Sequence, residues 1–270
     1  MPLQEYDLQF ESLPVHYWQG GQGFPLLMLH GSGPGASTLG NWRLVLDRMA
    51  ERYHVLAVDL IGFGKSGRKM SAPYFDIDLW LRQARHMLGL LPGESVGVVG
   101  HSLSAVLALK MAGTEPRVRK VLTTGAMGGA FKLNRYMDWT WSFPATREEL
   151  RRTTEALVHD KSLITEAFLD NRMQVLGEPG YAEYFRSMFA GDKQQYIDQA
   201  ILPPEELRKL DCDIVMLHGR EDLPIPAAEN TLALSRLIPR ADAVMVGRCG
   251  HSPALEHPEK LLAHVAMLVG

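Results

Sequence analysis

The sequence predicts an α/β fold: a mostly parallel sheet of about eight strands flanked by helices, interrupted by an inserted helical segment. Three observations predict it. Short apolar runs rich in valine and leucine end at glycine-containing loops and alternate with helical stretches. One of them, Ser95 to Val99, breaks at Gly100 into Leu103 to Ala112, which is apolar on every face and reads as a buried helix. From Phe131 to about Glu205 no strand pattern appears, yet this stretch holds half of the chain's aromatic residues. Residues 1–130 and 206–270 are therefore read as the sheet domain and 131–205 as a helical cap.

Leu8 to Phe10 and Val15 to Trp18 alternate around Ser12-Leu13-Pro14 and predict an opening antiparallel pair. Pro25 to Leu29 is a compact buried strand that ends at His30-Gly31-Ser32-Gly33-Pro34-Gly35. The amides of such a loop, those of Gly31 and Gly33 among them, are free to point at a ligand. Tyr53 to Leu60 is the next strand, and Gly62 to Gly67 after it fits G-x-G-x-x-G. A dinucleotide site needs a helix to begin there, but Arg68 to Pro73 is polar and ends in proline, so no cofactor is expected. Asp78 to Leu90 is an amphipathic helix, and Arg119 to Thr123 a further strand.

Within the inserted segment, Thr146 to Glu149 forms a capping box. A second helix from about Leu163 places Ile164, Phe168, Arg172 and Val175 on one stripe. Arg172 interrupts that apolar face, so it either snorkels to the edge or meets an anion in a pocket. After Pro203-Pro204 the strands resume, Ile214 to Leu217 ending at His218-Gly219-Arg220-Glu221-Asp222 and Ala243 to Val246 ending at Gly247-Arg248-Cys249-Gly250-His251.

Composition removes several classes of function. A net charge of −3 and a pI near 6.4 give no electrostatic case for nucleic acid or anionic membrane. No apolar run approaches the roughly 20 residues needed to span a bilayer, and MPLQEYDLQF has neither a basic n-region nor an apolar h-region. Two cysteines, Cys212 and Cys249, in apolar surroundings suit a reduced compartment. A soluble cytoplasmic protein acting on a small molecule without metal is expected. A homodimer or higher homo-oligomer is compatible with the sequence, which does not fix the state.

Ser102 sits at the strand-to-helix corner between Gly100 and Ser104, where only small neighbours fit. That corner exposes a hydroxyl at the carboxyl edge of the sheet, with the Leu103 amide at a helix N-terminus beside it. An alcohol is a poor nucleophile until a base takes its proton and an acid fixes the base. Asp222 and His251 each follow a strand, and carboxyl ends of parallel strands share one edge. The order Ser, Asp, His is the one expected for a nucleophile on such an elbow. Glu221 competes for the acid's role, and His101 and His257 for the base's. The Ser32 amide would complete an oxyanion hole with Leu103.

With these residues in place the chain resembles the α/β-hydrolases, and more narrowly the meta-cleavage product hydrolases, over almost its whole length. HGSGPGAS, NWRL, Ile61 to Gly64, HGRED, GRCGH and the cap stretches DKSLITEAFLDNRM and FRSMF carry the likeness. The resemblance implies a 2-hydroxy-6-oxo-2,4-dienoate substrate, cleaved hydrolytically between C5 and C6 after ketonisation. It assigns Arg172 and Asn41 to the dienoate end, and gives His251 the enol proton before it assists attack at C6 by Ser102 or water. Two departures from the family pattern flank the triad: His101 stands where Asn is common and Ser252 where Trp is common. With Tyr196, also at a Trp position, they reshape the substrate pocket. Because His before the serine is widespread in esterases and lactonases of this fold, a carboxylesterase or enol-lactone hydrolase is the alternative. A ligand sensor with slow turnover is the second.

Overall fold

The computed structural model describes residues 2–270. In chain order the strands are β1 (Gln4–Phe10), β2 (Leu13–Gly20), β3 (Pro25–Leu29), β4 (His54–Val58), β5 (Val96–His101), β6 (Val118–Thr124), β7 (Asp213–Gly219) and β8 (Ala241–Val246). They form one sheet in the order β1-β2-β4-β3-β5-β6-β7-β8. The opening hairpin and the β2–β4 pair are antiparallel, and every later pair is parallel. The first turn lies at Glu11-Ser12, both with positive φ, and Leu13 and Pro14 belong to β2 rather than to the turn expected around them. Two residues with left-handed backbone match the twist of a hairpin, so the turn needs no third residue.

Helices α1 (Thr38–Trp42) and α2 (Leu46–Ala50) connect β3 to β4, α3 (Ile77–Gly89) leads into β5, and α4 (Ser104–Thr114) into β6. Every residue of β3 and β5 is buried, as strands covered on both faces must be. Asp76 caps α3 by accepting from the Leu79 amide, and the helix buries Trp80, Ala84 and Met87 against the sheet. Its one fully buried polar side chain, Gln83, accepts from the Ile61 amide and donates to the Asp59 carbonyl. That pair fixes the loop after β4 and leaves the buried Gln83 side-chain amide with a partner at both its oxygen and its nitrogen. Residues 62–67 close on themselves, Gly62 donating to the Gly67 carbonyl at 2.8 Å, and the next helix begins only at Ile77.

Between β6 and β7 come α5 (Arg135–Thr140), α6 (Arg147–Leu157), α7 (Glu166–Leu176), α8 (Tyr181–Met188), α9 (Gln194–Ala200) and α10 (Pro204–Leu207). Thr146 accepts from the Glu149 amide, while the Glu149 carboxylate accepts from Ala145, one residue before the usual capping-box partner. Helix α7 starts at Glu166, later than its apolar spacing suggests. Thr165 caps it, and Lys161–Leu163 forms a separate 3-10 turn whose first amides are taken by Asp160. Short polar side chains compete with the helix for backbone donors and so move its start. The core-facing row of α7 is Leu169 and Leu176, whereas Phe168, Arg172 and Val175 form a half-buried row turned towards the loop after β3.

Aromatic contacts run both within this segment and from it to the loop before α3. Trp141 stacks on Phe189 at 4.9 Å, and Phe75, from the loop before α3, contacts Tyr196 at 4.7 Å. After β7, α11 (Thr231–Ser235) leads into β8, and α12 (Pro253–Glu256) and α13 (Pro258–Val269) end the chain. Among the described residues no helix is long and apolar enough to cross a membrane.

Candidate active site

Ser102 follows β5 with φ +58°, a left-handed conformation that a side-chain-bearing residue adopts only when its surroundings impose it. The surroundings are visible. A Cβ on Gly100 would fall 2.5 Å from the Ser104 carbonyl oxygen, so strand and helix approach too closely for anything but glycine there. The Ser102 amide donates to the Thr124 carbonyl at 2.9 Å, and the Met127 amide donates to the Ser102 carbonyl. The elbow is thus clamped to the end of β6.

His251 Nε2 lies 3.0 Å from Ser102 Oγ, and His251 Nδ1 lies 2.8 Å from Asp222 Oδ2. A carboxylate can only accept, so Nδ1 carries the proton and Nε2 is free to receive the serine's. The Asp222 carboxylate also accepts from the Ile225 amide and lies 3.1 Å from His218 Nε2. Burial alone would raise its pKa, but the neighbouring His251 and the hydrogen bonds from His218 and His251 outweigh that and hold it well below the usual carboxylate range. Glu221 turns away, accepting from the Cys249 amide. His257 is bound to the Arg248 carbonyl, away from the serine. His101 is tied through Nδ1 to Thr124.

The amides of Ser32 and Leu103 donate to no group among the described residues. Leu103 stands at the N-terminus of α4, where the helix dipole favours negative charge. The Ser32 loop is set by two groups that the sequence reading passed over. His30 donates from Nδ1 to the Gly31 carbonyl at 2.6 Å and accepts at Nε2 from the Leu60 amide at 3.0 Å, and Trp141 Nε1 donates to Ser32 Oγ at 3.1 Å. His218 was passed over too. The signal for both histidines was the same, a His-Gly pair ending a buried strand.

These groups open on a cavity of about 80 Å³. Gly31, Ser32, Gly33, Asn41, His101, Ser102, Arg172, His251 and Ser252 all line it, closed over by Leu150, Leu157 and Phe168 of the inserted helices. Tyr196 does not. Its ring is buried in the Phe75–Trp141–Phe189 cluster and its hydroxyl donates to the Ala190 carbonyl, so it acts as packing, in correction of its expected place in the pocket wall. Arg172 donates to the Gly35 carbonyl and lies over the Phe168 ring, but no carboxylate of the described residues pairs with it. Burial depresses its pKa, the mark of a cation short of compensation.

The family model described as the alpha/beta hydrolase family matches residues 26–264. The chain is 36% identical over 251 residues to a 2-hydroxymuconate semialdehyde hydrolase of Pseudomonas sp. (strain CF600), covering 93% of this chain and 87% of that one. It is 32% identical over 237 residues to a 2-hydroxy-6-oxo-2,4-heptadienoate hydrolase of Pseudomonas putida, with 87% and 85% covered. Among solved structures, a meta-cleavage product hydrolase from Pseudomonas fluorescens IP01 superposes with a TM-score of 0.92 at 29% identity, over 97% of this chain and 96% of that one. Strand order, elbow, and likeness along almost the whole length agree: the chain belongs to the α/β-hydrolase family and, within it, to the meta-cleavage product hydrolases.

Proposed function

We infer that the protein hydrolyses the C5–C6 bond of a 2-hydroxy-6-oxo-2,4-dienoate, an aromatic ring-fission product such as 2-hydroxymuconic semialdehyde. The observation that carries this reading is the pairing of a guanidinium without a carboxylate partner, Arg172, with a connected Ser102–His251–Asp222 array at one cavity. The dienoate carboxylate supplies the missing partner of Arg172, and its other end then reaches the serine. Once the dienol has become the 2-oxo, 3-ene form, C6 is an electrophilic carbonyl. Ser102 Oγ, or water oriented by it, adds there as His251 takes the proton. The Ser32 and Leu103 amides hold the oxyanion, and the C5–C6 electrons leave into the conjugated 2-oxo acid. Water supplies the atoms that complete a carboxylic acid and 2-hydroxypenta-2,4-dienoate. No metal or organic cofactor enters this scheme.

Residues 131–205 act as the cap, since α6 and α7 supply the pocket's outer wall. The buried, unpaired Cys212 and Cys249 suit the reducing cytoplasm.

The test is stopped-flow bleaching of the dienolate chromophore of 2-hydroxymuconic semialdehyde and its 6-methyl analogue. Multiple turnovers that vanish in Ser102→Ala support the reading. Unchanged absorbance with ready cleavage of p-nitrophenyl esters would assign the site to an esterase or lactonase.

A further inference from the structure

Three consecutive backbone amides lead up to the His251 ring, and each is taken by a different part of the fold. Cys249 donates to Glu221 in the loop after β7 at 2.9 Å, Gly250 to Glu256 of α12 at 2.6 Å, and His251 to the Leu157 carbonyl at the end of α6 at 2.8 Å. Glu256 stands apart because its second oxygen holds another element. That oxygen accepts from the His159 amide at 2.6 Å and from the Asp160 amide at 3.0 Å. One carboxylate thus takes three backbone donors, one from the residue before His251 and two from the stretch that leaves α6.

The two stretches it joins are packed backbone to backbone. A Cβ on Gly250 would fall 2.8 Å from the Leu157 carbonyl oxygen and 2.9 Å from the Val158 Cα, so only glycine fits between them. Leu157 and Val158 line the cavity, and beyond them the chain runs on to α7. That connection has little slack. Asp160 accepts from the Ser162 amide, Lys161–Leu163 forms a 3-10 turn, and Thr165 caps α7. Helix α7 carries Phe168 and Arg172, both in the cavity wall. A shift at residues 159–160 is therefore passed to the guanidinium, and a shift at Gly250 to the imidazole.

We propose that Glu256 is a positioning residue that sets the spacing between Arg172 and the Ser102–His251 pair, and with it the register in which a dienoate meets the nucleophile. This rests on the C–C hydrolase reading and adds to it the residue that matches the site to the length of the substrate. The dienol is conjugated from C1 to C6 and stiff, so it cannot bend to absorb a misfit. With its carboxylate at Arg172, C6 reaches Ser102 only while α7 and the His251 loop keep their spacing, and a displacement of about 1 Å costs on the order of 10²-fold in rate. A small neutral ester has no group for Arg172. It needs only His251 in place, which the Asp222 carboxylate, the Glu221 contact to Cys249 and the Leu157 carbonyl still hold.

The experiment compares full-length wild type, Glu256→Ala and Glu256→Gln on 2-hydroxy-6-oxohepta-2,4-dienoate and on p-nitrophenyl acetate, with active sites counted by burst titration. Glu256→Ala frees all three amides and should lower dienoate kcat per active site by about tenfold, with KM changed by less than about threefold. Acetate hydrolysis should change by less than about threefold. Glu256→Gln, which keeps one acceptor oxygen and the shape of the side chain, should lose less. In an Arg172→Ala background no anchor remains to be kept in register, so adding Glu256→Ala should cost dienoate kcat/KM less than about threefold further. Equal losses on both substrates, or losses that multiply fully with Arg172→Ala, overturn the proposal and leave Glu256 a brace of the fold; Glu256→Gln carries the comparison if Glu256→Ala does not fold. Dienoate left uncleaved by the wild type beside ready ester cleavage overturns the C–C reading and this proposal together, whereas cleaved dienoate with equal losses overturns this proposal alone.

Discussion

His218 Nε2 lies 3.1 Å from the Asp222 oxygen that also holds His251 Nδ1 at 2.8 Å. The same Nε2 is 3.0 Å from the Ile225 carbonyl, which can only accept, so Nε2 carries a proton and shares it between the two oxygens. His218 Nδ1 then accepts from the Thr231 hydroxyl at 2.7 Å. Through β7 and α11 the fold thus supplies Asp222 with a second imidazole donor that touches no substrate. In the proposed mechanism it is a positioning residue for Asp222.

Removing that donor should slow the reaction while leaving binding largely intact. His218→Phe is expected to lower kcat by about tenfold, because Asp222 gains freedom to leave the His251 ring, with KM changed by less than about threefold. Steady-state kinetics on the dienoate decide it. A purely structural role would instead lower the active fraction and leave kcat per active site unchanged, which burst titration measures.

Asp222 also links stability to pH. Its folded pKa is depressed, so its contribution is complete above the unfolded carboxyl value near ~3.9 and is lost as pH falls through the folded one. In urea unfolding between pH 5 and 2.5, the wild type should lose stability more steeply below about pH 4 than Asp222→Asn, which has no carboxyl to protonate. Parallel acid profiles would mean that the Asp222 pKa is not depressed.

The elbow stores strain at one residue. Ser102 holds φ +58°, and its replacement by Ala keeps the unfavourable Cβ while Gly removes it. Both should cut kcat by roughly 10³-fold or more. Ser102→Gly should nevertheless be the more stable of the two by about 1 kcal/mol, seen as a higher Tm in calorimetry. Equal melting temperatures would show the conformation to be unstrained.

Groups that the sequence made legible are those whose position follows from strand ends. Ser102, Asp222 and His251 each sit just past a buried apolar run, and a parallel sheet brings such ends together whatever the loops do. The opening antiparallel pair and the elbow helix were legible because local pattern and tertiary burial agree there, and the Thr146 cap because a cap is set by neighbours on the chain. The start of α7 was not, because Asp160 and Thr165 capture backbone amides that periodicity alone would give to the helix. Tyr196 was misplaced for a different reason. Whether an aromatic residue faces a cavity or packs beside one depends on ring contacts between α5, α9 and the loop before α3, and no spacing along the chain encodes those. His101 was legible as a neighbour of the nucleophile, but its tautomer needed Thr124, from the adjacent strand.

Arg172 tests the part of α7 in substrate choice. Arg172→Ala removes the only guanidinium facing the cavity among the described residues, so cleavage of the anionic dienoate should fall by roughly 10²-fold in kcat/KM. Hydrolysis of neutral p-nitrophenyl acetate should change by less than about threefold. Arg172→Lys should recover part of the loss, since an ammonium keeps the charge without the fork. Equal damage to both substrates would mean that the arginine only braces the Gly35 loop.

Trp141 connects the helical segment to the oxyanion loop. Its indole Nε1 donates to Ser32 Oγ at 3.1 Å while its ring stacks on Phe189 of the same segment, so one side chain joins that segment to the loop whose Ser32 amide the proposed mechanism assigns to the oxyanion. Trp141→Phe keeps a stacking ring and deletes the donor. An oxyanion donor acts only as charge develops, so a loosened Ser32 amide should cost kcat about tenfold while KM stays within about twofold. Ser32→Ala removes the acceptor of the same bond and should produce a similar loss. The double variant should then be little worse than either single one, because both delete a single interaction. Fully multiplicative losses in that cycle would show that Trp141 and Ser32 act separately and that the indole serves the packing alone.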